Sequence, residues 1–430
     1  MLAGICEKIK RFCMSANPYS LCEKQGRYSV VALAIVALFF LQPPYGLASA
    51  DSELLDKVLW VGSLIIILLS LATYLYCIRY DIFGILVLLF GLSLLFADLL
   101  NGGSLLGFVR GWMPSIAMAL YVRAVIRKNR RSLLWAVLVY AGFCSFVNLA
   151  ILIVAPVPMP ILRPGSFYTF FGYKNFYWLW GMTAFFSSAL LDYEKGAILS
   201  ARTISLHVAY CVQVVMSGSA TGLLIALFVT IGFVCIQFSG IRRHLNLLVY
   251  TAAYMLSFGA IVLWRLPERF SGLTEALLHK SADFTGRTDI WDIAINQIFS
   301  PGGLMGSYDA LTSPLLVGGT TYWAAHNAVL DIALWGGIGA FAAAAGLLVI
   351  TVCKLYRHRR QYVSALLSLV VGAFLVQGIS EAIVCPIFCM WAAIAYGWYL
   401  DRRSWLPEDM QQRDARIMKP NVTERERFMG

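Results

Sequence analysis

The chain has 430 residues, of which 60% are hydrophobic and only 13% are charged, and its net charge is +11. A soluble protein of this composition could not cover its own core with polar surface, so we expect a polytopic membrane protein. The basic residues fall in alternate loops between apolar runs, which indicates membrane orientation and contact with anionic membrane lipids and excludes any need for a nucleic-acid partner. Ten cysteines without a CxxC pair predict free thiols.

The N-terminal segment has some features of a secretory signal. Lys8, Lys10 and Arg11 precede the first apolar run, and residues 48–50 (Ala-Ser-Ala) have the form of a cleavage site. The segment before the run is long, however, and two prolines at 43–44 intervene. We therefore expect an uncleaved first span.

Membrane helices need about 20 predominantly apolar residues, and twelve segments are candidates. They are 28–42, 58–78, 82–100, 107–126, 132–155, 176–191, 199–217, 220–239, 245–264, 328–353, 361–379 and 382–400. Basic residues follow every second span, for example Arg79, Arg127, Lys195, Arg242, Lys354 and Arg402. The positive-inside rule then places both termini in the cytoplasm.

This topology divides the chain into four parts and predicts an all-α fold. Residues 1–264 carry spans one to nine, 265–327 form a long extracytoplasmic loop, 328–400 carry spans ten to twelve, and 401–430 form a cytoplasmic tail. The loop is the only extracytoplasmic segment long enough to have its own structure. The outer loop 155–175 and the hairpin 216–222 lie on the same side.

An amphipathic helix is predicted within the long loop. Ile290, Ile293, Ala294 and Ile298 recur at helical spacing, with a start near residue 285 or 286 and a stop at 300–303 (Ser-Pro-Gly-Gly). Such a helix places one arginine, Arg287, in its first turn.

Arg287 at a helix N-terminus could hold a diphosphate, because backbone N–H groups and a guanidinium would both face the anion. Trp291 follows one turn later and could stack on a sugar or on lipid head groups. The alternative is an interfacial helix whose Arg287 pairs with Asp283 or with lipid phosphate.

His326 lies where the loop re-enters the membrane, with Asn327 beside it. Histidine is well suited to accept a proton at neutral pH, although a helix-capping role is the alternative. Asp331 is interpreted as a buried polar partner for another helix. Gly336, Gly337 and Gly339 predict close helix packing.

These segments together carry a family resemblance. GRTDIW (286–291), His326-Asn327 with Leu330, and the Gly336–Gly339 pair resemble motifs of the O-antigen ligase and polysaccharide polymerase superfamily, integral-membrane glycosyltransferases of the GT-C type. Residues 170–180 are similar to the family's glycine-x-x-asparagine segment, which here ends at Asn175. Residues 217–224 resemble its serine-rich hairpin, which here contains Ser217 and Ser219.

One departure from the family pattern concerns the second cation. Ala220 stands where many members have an arginine in the serine-rich hairpin. Arg163 and Lys174 are candidates to replace it, followed by Arg265 and Arg269. Lipid snorkelling is the alternative role for Arg163.

The resemblance implies a glycan donor linked to undecaprenyl diphosphate and a reaction on the periplasmic side of the bacterial inner membrane. Arg287 would stabilise the departing diphosphate, and His326, oriented by Asn327 or Asp331, would take the proton of the acceptor hydroxyl. Asn175, Ser217, Ser219, Arg265, Asn327 and Trp291 join Arg163 and Lys174 as candidate substrate-binding residues. No metal and no cofactor are expected, since no carboxylate cluster is typical of a cation site.

The acceptor is left open by the sequence. A polymerase would extend a lipid-linked glycan, with a chain-length regulator as a further candidate partner, and a ligase would use the lipid A core. The TGRTDIW segment and the rather short outer loop favour the polymerase. A polysaccharide flippase is the alternative from another class, but it would need ionisable residues near the bilayer midplane, and these spans are nearly free of charge.

Overall fold

The computed structural model of the protein describes residues 25–48, 52–77, 81–154, 168–196, 199–266, 287–306, 315–317, 320–322 and 324–399. Within these ranges the chain forms a bundle of α-helices. The helices are α1 (Gln25–Leu41), α2 (Tyr45–Ala48), α3 (Glu53–Cys77), α4 (Ile82–Leu100), α5 (Leu105–Gly111), α6 (Met113–Val154), α7 (Tyr177–Glu194), α8 (Ala201–Ser217), α9 (Ala220–Cys235), α10 (Ser239–Arg242), α11 (Leu247–Phe258), α12 (Arg287–Ile298), α13 (Ala328–Arg357), α14 (Tyr362–Gly378) and α15 (Pro386–Gly397).

Two short antiparallel hairpins lie in segments that were predicted as outer loops. The first pairs β1 (Tyr168–Thr169) with β2 (Gly172–Tyr173), and the second pairs β3 (Leu315–Val317) with β4 (Thr320–Tyr322). A 3₁₀ turn at Lys174–Phe176 leads from the first hairpin into α7. Another 3₁₀ turn spans Gly303–Met305, and a π-helical segment, Gly259–Leu263, continues α11.

The predicted spans lie on helices of the structure, and two of them, 107–126 and 132–155, share α6, which is broken at Asn129 (φ −131°, ψ 42°). Among the described residues, four helices are long and apolar enough to cross a membrane, namely Glu53–Cys77, Ile82–Leu100, Asn129–Val154 and Ala328–Arg357. A fifth span is possible if Leu105–Gly111 and Met113–Arg127, which are bent by 51° relative to each other, are counted together. Further apolar helices are shorter, with 10–17 residues each. The protein is thus a helical protein with several helices able to span a membrane.

The long helix α13 is interrupted at Gly337, where φ is +62°. Glycine is required there because the backbone of Leu304–Gly306 packs directly against it, and a Cβ would lie 2.3 Å from the Leu304 carbonyl oxygen. A Cβ at Gly336 would lie 2.9 Å from Leu94 Cδ2, and one at Gly339 would lie 2.6 Å from Ser93 Oγ, both on α4. The predicted packing role of these glycines is confirmed.

The centre of the bundle is formed by α6, α7 and α14. The long α6 contacts α1, α3, α7 and α15, while α14 contacts α9, α11 and α15. Nearly every side chain of α7 and α14 is buried, on all sides of each helix. A helix that is buried all round needs neighbours on every face, so these two fix the positions of the segments at their ends.

Peripheral helices expose large apolar side chains, including Leu64, Leu68, Leu88 and Leu92 on α3 and α4. Exposure of such an apolar surface to water is unfavourable, whereas lipid chains would solvate it. No disulfide bond joins the described cysteines.

Ion pairs join only segments that the sequence placed on the same side of the membrane, within the described ranges. Arg123 Nε lies 2.7 Å from Asp81 Oδ2, Arg130 pairs with Glu194 at 2.6 Å, and both pairs connect predicted cytoplasmic loops. The pairs of Arg287 and His326 lie among predicted outer segments.

The amphipathic helix of the long loop is present as α12. It begins at Arg287 and buries Ile290, Ala294 and Ile298, as the spacing predicts. The residues 267–286 that precede it, including Asp283, lie outside the described residues.

Candidate functional site

The site is centred on Glu381, which lies in the loop between α14 and α15 and is only 5% exposed. Its Oε1 atom accepts hydrogen bonds from Arg287 Nη2 at 2.6 Å and from Asn175 Nδ2 at 2.8 Å. Its Oε2 atom lies 3.0 Å from His326 Nδ1. Three groups from distant parts of the chain therefore meet on one buried carboxylate.

Glu381 is ionised at neutral pH. Burial alone raises the pKa of this carboxyl group, but the hydrogen bond with His326 and the charge of Arg287 more than compensate, so the pKa lies below its ordinary value of 4.5. An ionised carboxylate can only accept hydrogen bonds, which places the proton of the neutral imidazole on Nδ1. Nε2 of His326 then carries the lone pair that can take a proton.

Arg287 is the first residue of α12, and its side chain is 21% exposed, against 7% for Glu381. Its contact with Glu381 uses the Nη2 group. A guanidinium has five N–H donors. Within the described part of the chain, Glu381 accepts a hydrogen bond from only one of the five donors of Arg287. Arg287 can therefore bind Glu381 and a phosphate oxygen at the same time.

His326 adopts a backbone conformation that a non-glycine residue seldom does, with φ at +53°. Asp331, fully buried in the first turn of α13, holds the chain on both sides of it. Its Oδ1 accepts from Ala325 N at 2.6 Å and its Oδ2 from Asn327 N at 3.2 Å. The predicted partner for Asp331 was another helix; the hydrogen bonds instead go to the segment before its own helix, where they fix His326.

Asn327 caps α13 and was predicted among the ligand-binding residues. Its Oδ1 accepts from Val329 N and Leu330 N, and its Nδ2 donates to Ile379 O at 3.0 Å. Because Asn327 is fully buried, it has no access to a ligand. It instead ties the His326 segment to the end of α14, two residues before Glu381.

Asn175 and Ser219 connect Glu381 to the serine-rich hairpin. Ser219 Oγ donates to Asn175 Oδ1 at 2.8 Å and accepts from Gly222 N as the N-cap of α9. Ser217 Oγ accepts from Ser219 N at 3.1 Å and donates to Val214 O. Both serines are buried, so the hairpin supports the site through Asn175 and does not itself face a ligand.

Trp291 is completely buried and cannot stack on a sugar in this conformation, which corrects the prediction. Its Nε1 donates to Ala325 O at 3.0 Å. Trp291 lies one turn after Arg287, and Ala325 directly precedes His326. The indole therefore links the segments that carry Arg287 and His326, two of the three groups that contact Glu381.

Arg265 holds α12 from the other side. It pairs with Asp292, donates to Thr288 O at 2.7 Å, and lies over the Trp291 ring with its guanidinium carbon 5.7 Å from the centroid. This use of its donors differs from the predicted role in diphosphate binding. The interaction with α12 explains how a loop helix is kept in place.

The candidates for a second cation, which would replace the arginine missing at position 220, are described only in part. Lys174 is partly exposed and directly precedes Asn175, and it forms no ion pair with the described carboxylates. Arg163 and Arg269 lie outside the described residues. Lys174 therefore remains the described candidate nearest in sequence to the Glu381 cluster.

Glu381 is the site residue that the sequence analysis did not identify. Its signal was an acidic residue at the end of an apolar span, in the segment GISEAIVC. A carboxylate in such a position is costly unless it is paired, which makes it a candidate functional residue. The partners could not be deduced, since Arg287 lies 94 positions and His326 55 positions away.

The arrangement can hold an anion and take up a proton at adjacent points. Arg287 supplies a positive charge that is partly accessible, and His326, with a side chain that is 33% exposed, supplies the proton acceptor. Glu381 orients both. This combination suits the displacement of an anionic leaving group by a hydroxyl group.

Two comparisons with known proteins identify no relative. The chain matches no protein-family model, and a search among curated proteins found no match. The functional interpretation therefore depends on the geometry around Glu381 and on the short motifs of the sequence.

Proposed function

We propose that the protein is a membrane glycosyltransferase that transfers a glycan from an undecaprenyl-diphosphate-linked donor to an acceptor hydroxyl on the periplasmic side. The observation that carries the proposal is the convergence of Arg287 and His326 on Glu381. These residues were selected from the sequence for the diphosphate and the proton, and 39 positions separate them. Their proximity supports a common reaction.

In the proposed step, the acceptor oxygen forms a bond to the anomeric carbon of the donor sugar. The bond from that carbon to the diphosphate oxygen breaks, and undecaprenyl diphosphate leaves with both electrons. The hydroxyl proton passes to His326 Nε2, while Arg287 stabilises the charge on the departing diphosphate. Direct displacement inverts the anomeric centre.

The proposed architecture is that of a GT-C-like protein with twelve spans in the bacterial inner membrane and both termini in the cytoplasm. Shorter helices such as α14 and α15 would then complete the set of spans. This topology places Asn175, Ser219, Arg287, His326 and Glu381 on one side, and their hydrogen bonds to each other support it. The separate cluster of Arg123 with Asp81 supports the opposite side as cytoplasmic.

For the acceptor, we propose a second lipid-linked glycan, as in exopolysaccharide or O-antigen polymerisation. The alternative is transfer to the lipid A core by a ligase, which would use the same three residues. The two differ only in the acceptor hydroxyl that reaches His326. A lipid A core gene cluster or an exopolysaccharide cluster beside the gene would distinguish them.

The test uses purified protein in detergent with a lipid-linked oligosaccharide as donor and acceptor. We expect covalent glycan transfer by the unmodified protein and none by Arg287→Ala or His326→Ala. Arg110→Ala, an arginine that lies over Trp60 with its guanidinium carbon 4.8 Å from the ring, is the matched control and should retain activity. Transfer by both site variants at the control rate would refute the proposal, and a flippase would give no covalent product.

A further inference from the structure

The end of α13 that the proposed topology places in the cytoplasm carries an excess of positive charge. Lys354 and Arg357 lie in the last turn of this helix, and Arg359 and Arg360 follow in the loop. None of these four side chains forms an ion pair with a carboxylate of the described residues. The dipole of α13 offsets only about half an elementary charge at its C-terminus. Most of the positive charge is therefore available to an anion from outside the chain.

Asp81 lies close enough to act on the charge of Lys354, but this carboxylate is already in use. It accepts hydrogen bonds from Arg123 Nε at 2.7 Å and from the Tyr396 hydroxyl at 3.3 Å. The ammonium nitrogen of Lys354 and the guanidinium carbon of Arg123 lie over the same Tyr396 ring, 5.4 Å and 5.5 Å from its centroid. Asp81 and Arg123 are both buried, whereas Lys354 is partly exposed. Lys354 is thus the cation of this cluster that an external anion can reach.

The imidazole at the end of α13 adds a hydrogen-bond donor to the cations. His358 stacks on Tyr399 with ring centroids 3.9 Å apart, and its Nδ1 accepts from Gln361 Nε2 at 3.3 Å. Burial, followed by the charges of Lys354 and Arg357, holds the pKa of His358 below its ordinary value of 6.5. A neutral imidazole that accepts at Nδ1 carries its proton on Nε2. His358 therefore supplies a neutral N–H group beside the two cations.

An exposed apolar stripe on α13 leads to these groups. Ile338, Phe341, Val349 and Tyr356 are all exposed, and their helical spacing places them on one side of the helix. At the end of the stripe, Arg359 lies over the Tyr356 ring, with its guanidinium carbon 4.4 Å from the centroid. An acyl chain could pack along this stripe while a phosphate contacts the cations at its end. A soluble anion would use the cations and leave the stripe uncovered.

We propose that this end of α13 binds one anionic phospholipid of the cytoplasmic leaflet, with its phosphate against Lys354 and Arg357 and an acyl chain along the exposed stripe. Basic groups at the cytoplasmic ends of membrane helices are suited to anionic head groups. The site differs from a general attraction between basic loops and the membrane, because it needs particular cations and a fixed number of lipids. It is also independent of the proposed transfer reaction.

The experiment measures thermal unfolding of the full chain in dodecyl maltoside, at a fixed detergent concentration, with increasing phosphatidylglycerol. We expect the unfolding temperature to rise and to saturate, as it does for a ligand that binds only the folded protein. Phosphatidylcholine and inorganic phosphate at the same concentrations should not raise it. Arg357→Gln and Lys354→Gln should each increase the half-saturating lipid concentration about tenfold, because each removes a charged contact with the phosphate.

Arg131→Gln is the matched control, since it removes the same charge from an exposed arginine in another predicted cytoplasmic loop, and it should leave the half-saturating concentration unchanged. An equal weakening by Arg131→Gln would indicate diffuse attraction and overturn the inference. An equal rise with inorganic phosphate or phosphatidylcholine, or no saturable rise, would also overturn it. Each variant is compared with itself without lipid, so a loss of stability caused by the substitution alone does not affect the result.

Discussion

The replacement Glu381→Gln tests the central feature of the site. The carboxylate accepts three hydrogen bonds, two at Oε1 and one at Oε2. A glutamine amide has one oxygen and one NH₂ group, so it can keep its oxygen toward Arg287 and Asn175 only by turning the NH₂ group toward His326 Nδ1. The imidazole must then carry its proton on Nε2, the atom that is needed as proton acceptor.

The expected loss can be derived from these contacts. General-base catalysis contributes about 10²–10⁴-fold to a rate, so the transfer rate should fall within that range. A hydrogen bond to a charged group stabilises the folded state by about 1 kcal/mol more than a neutral hydrogen bond does. Replacing the carboxylate by a neutral amide therefore costs about 3 kcal/mol for its three hydrogen bonds. The side chains of Arg287 and His326 are 21% and 33% exposed. Solvent screening at these two positions reduces the expected loss of folding free energy to about 2 kcal/mol.

Two measurements check this prediction: the initial rate of glycan transfer to a lipid-linked acceptor, and the unfolding temperature in detergent. Glu194→Gln is the control, since it breaks the ion pair with Arg130 on the opposite side and should leave the transfer rate unchanged. A Glu381→Gln protein that transfers glycan within about fivefold of the unmodified rate would refute the assigned proton acceptor, because the effect expected of a general base is at least about 10².

Three further predictions follow from the same contacts. The stability difference between the unmodified protein and Glu381→Gln should be present at neutral pH and disappear as the pH falls below 4.5 and through the lowered folded-state pKa of Glu381, because the protonated carboxyl no longer carries the charge that glutamine lacks; unfolding midpoints across pH 3–7 would show it, and a difference as large at pH 3 as at pH 7 would contradict it. Arg287→Lys should lower the transfer rate about 10²-fold, since an ammonium cannot bind a carboxylate and a phosphate through separate edges; a rate close to normal would show that charge alone suffices. Trp291→Phe should cost about 1–2 kcal/mol in unfolding free energy by loss of the bond to Ala325 O, and should lower kcat more than it changes KM; an unchanged kcat would mean that this bond does not position His326.

The fold could be predicted where composition and periodicity act locally. Apolar runs of sufficient length predicted the helices, and the three- and four-residue spacing of Ile290, Ile293, Ala294 and Ile298 predicted α12. The breaks could not be predicted. The interruption at Gly337 depends on the backbone of Leu304–Gly306 lying against it, a contact between segments that no local pattern reveals.

The site could be predicted in its chemistry but not in its connections. Arg287 and His326 were identified because a guanidinium and an imidazole suit a diphosphate and a proton, and because the segments that carry them resemble motifs of a known family. Trp291 and Asn327 were assigned to ligands since tryptophan and asparagine often bind them, yet burial commits both to internal hydrogen bonds. Residue type indicates what a side chain can do, whereas only packing shows which of its possible partners it has.

The order of the site residues along the chain has a consequence for biogenesis. Asn175, Arg287 and His326 are synthesised before Glu381, which comes after α14. A nascent chain halted after His326 but before α14 has emerged contains Arg287 and His326 without the carboxylate that contacts both. In the proposed function, an incomplete chain of this length would therefore not transfer glycan, because the contacts of Glu381 with Arg287 and His326 form last.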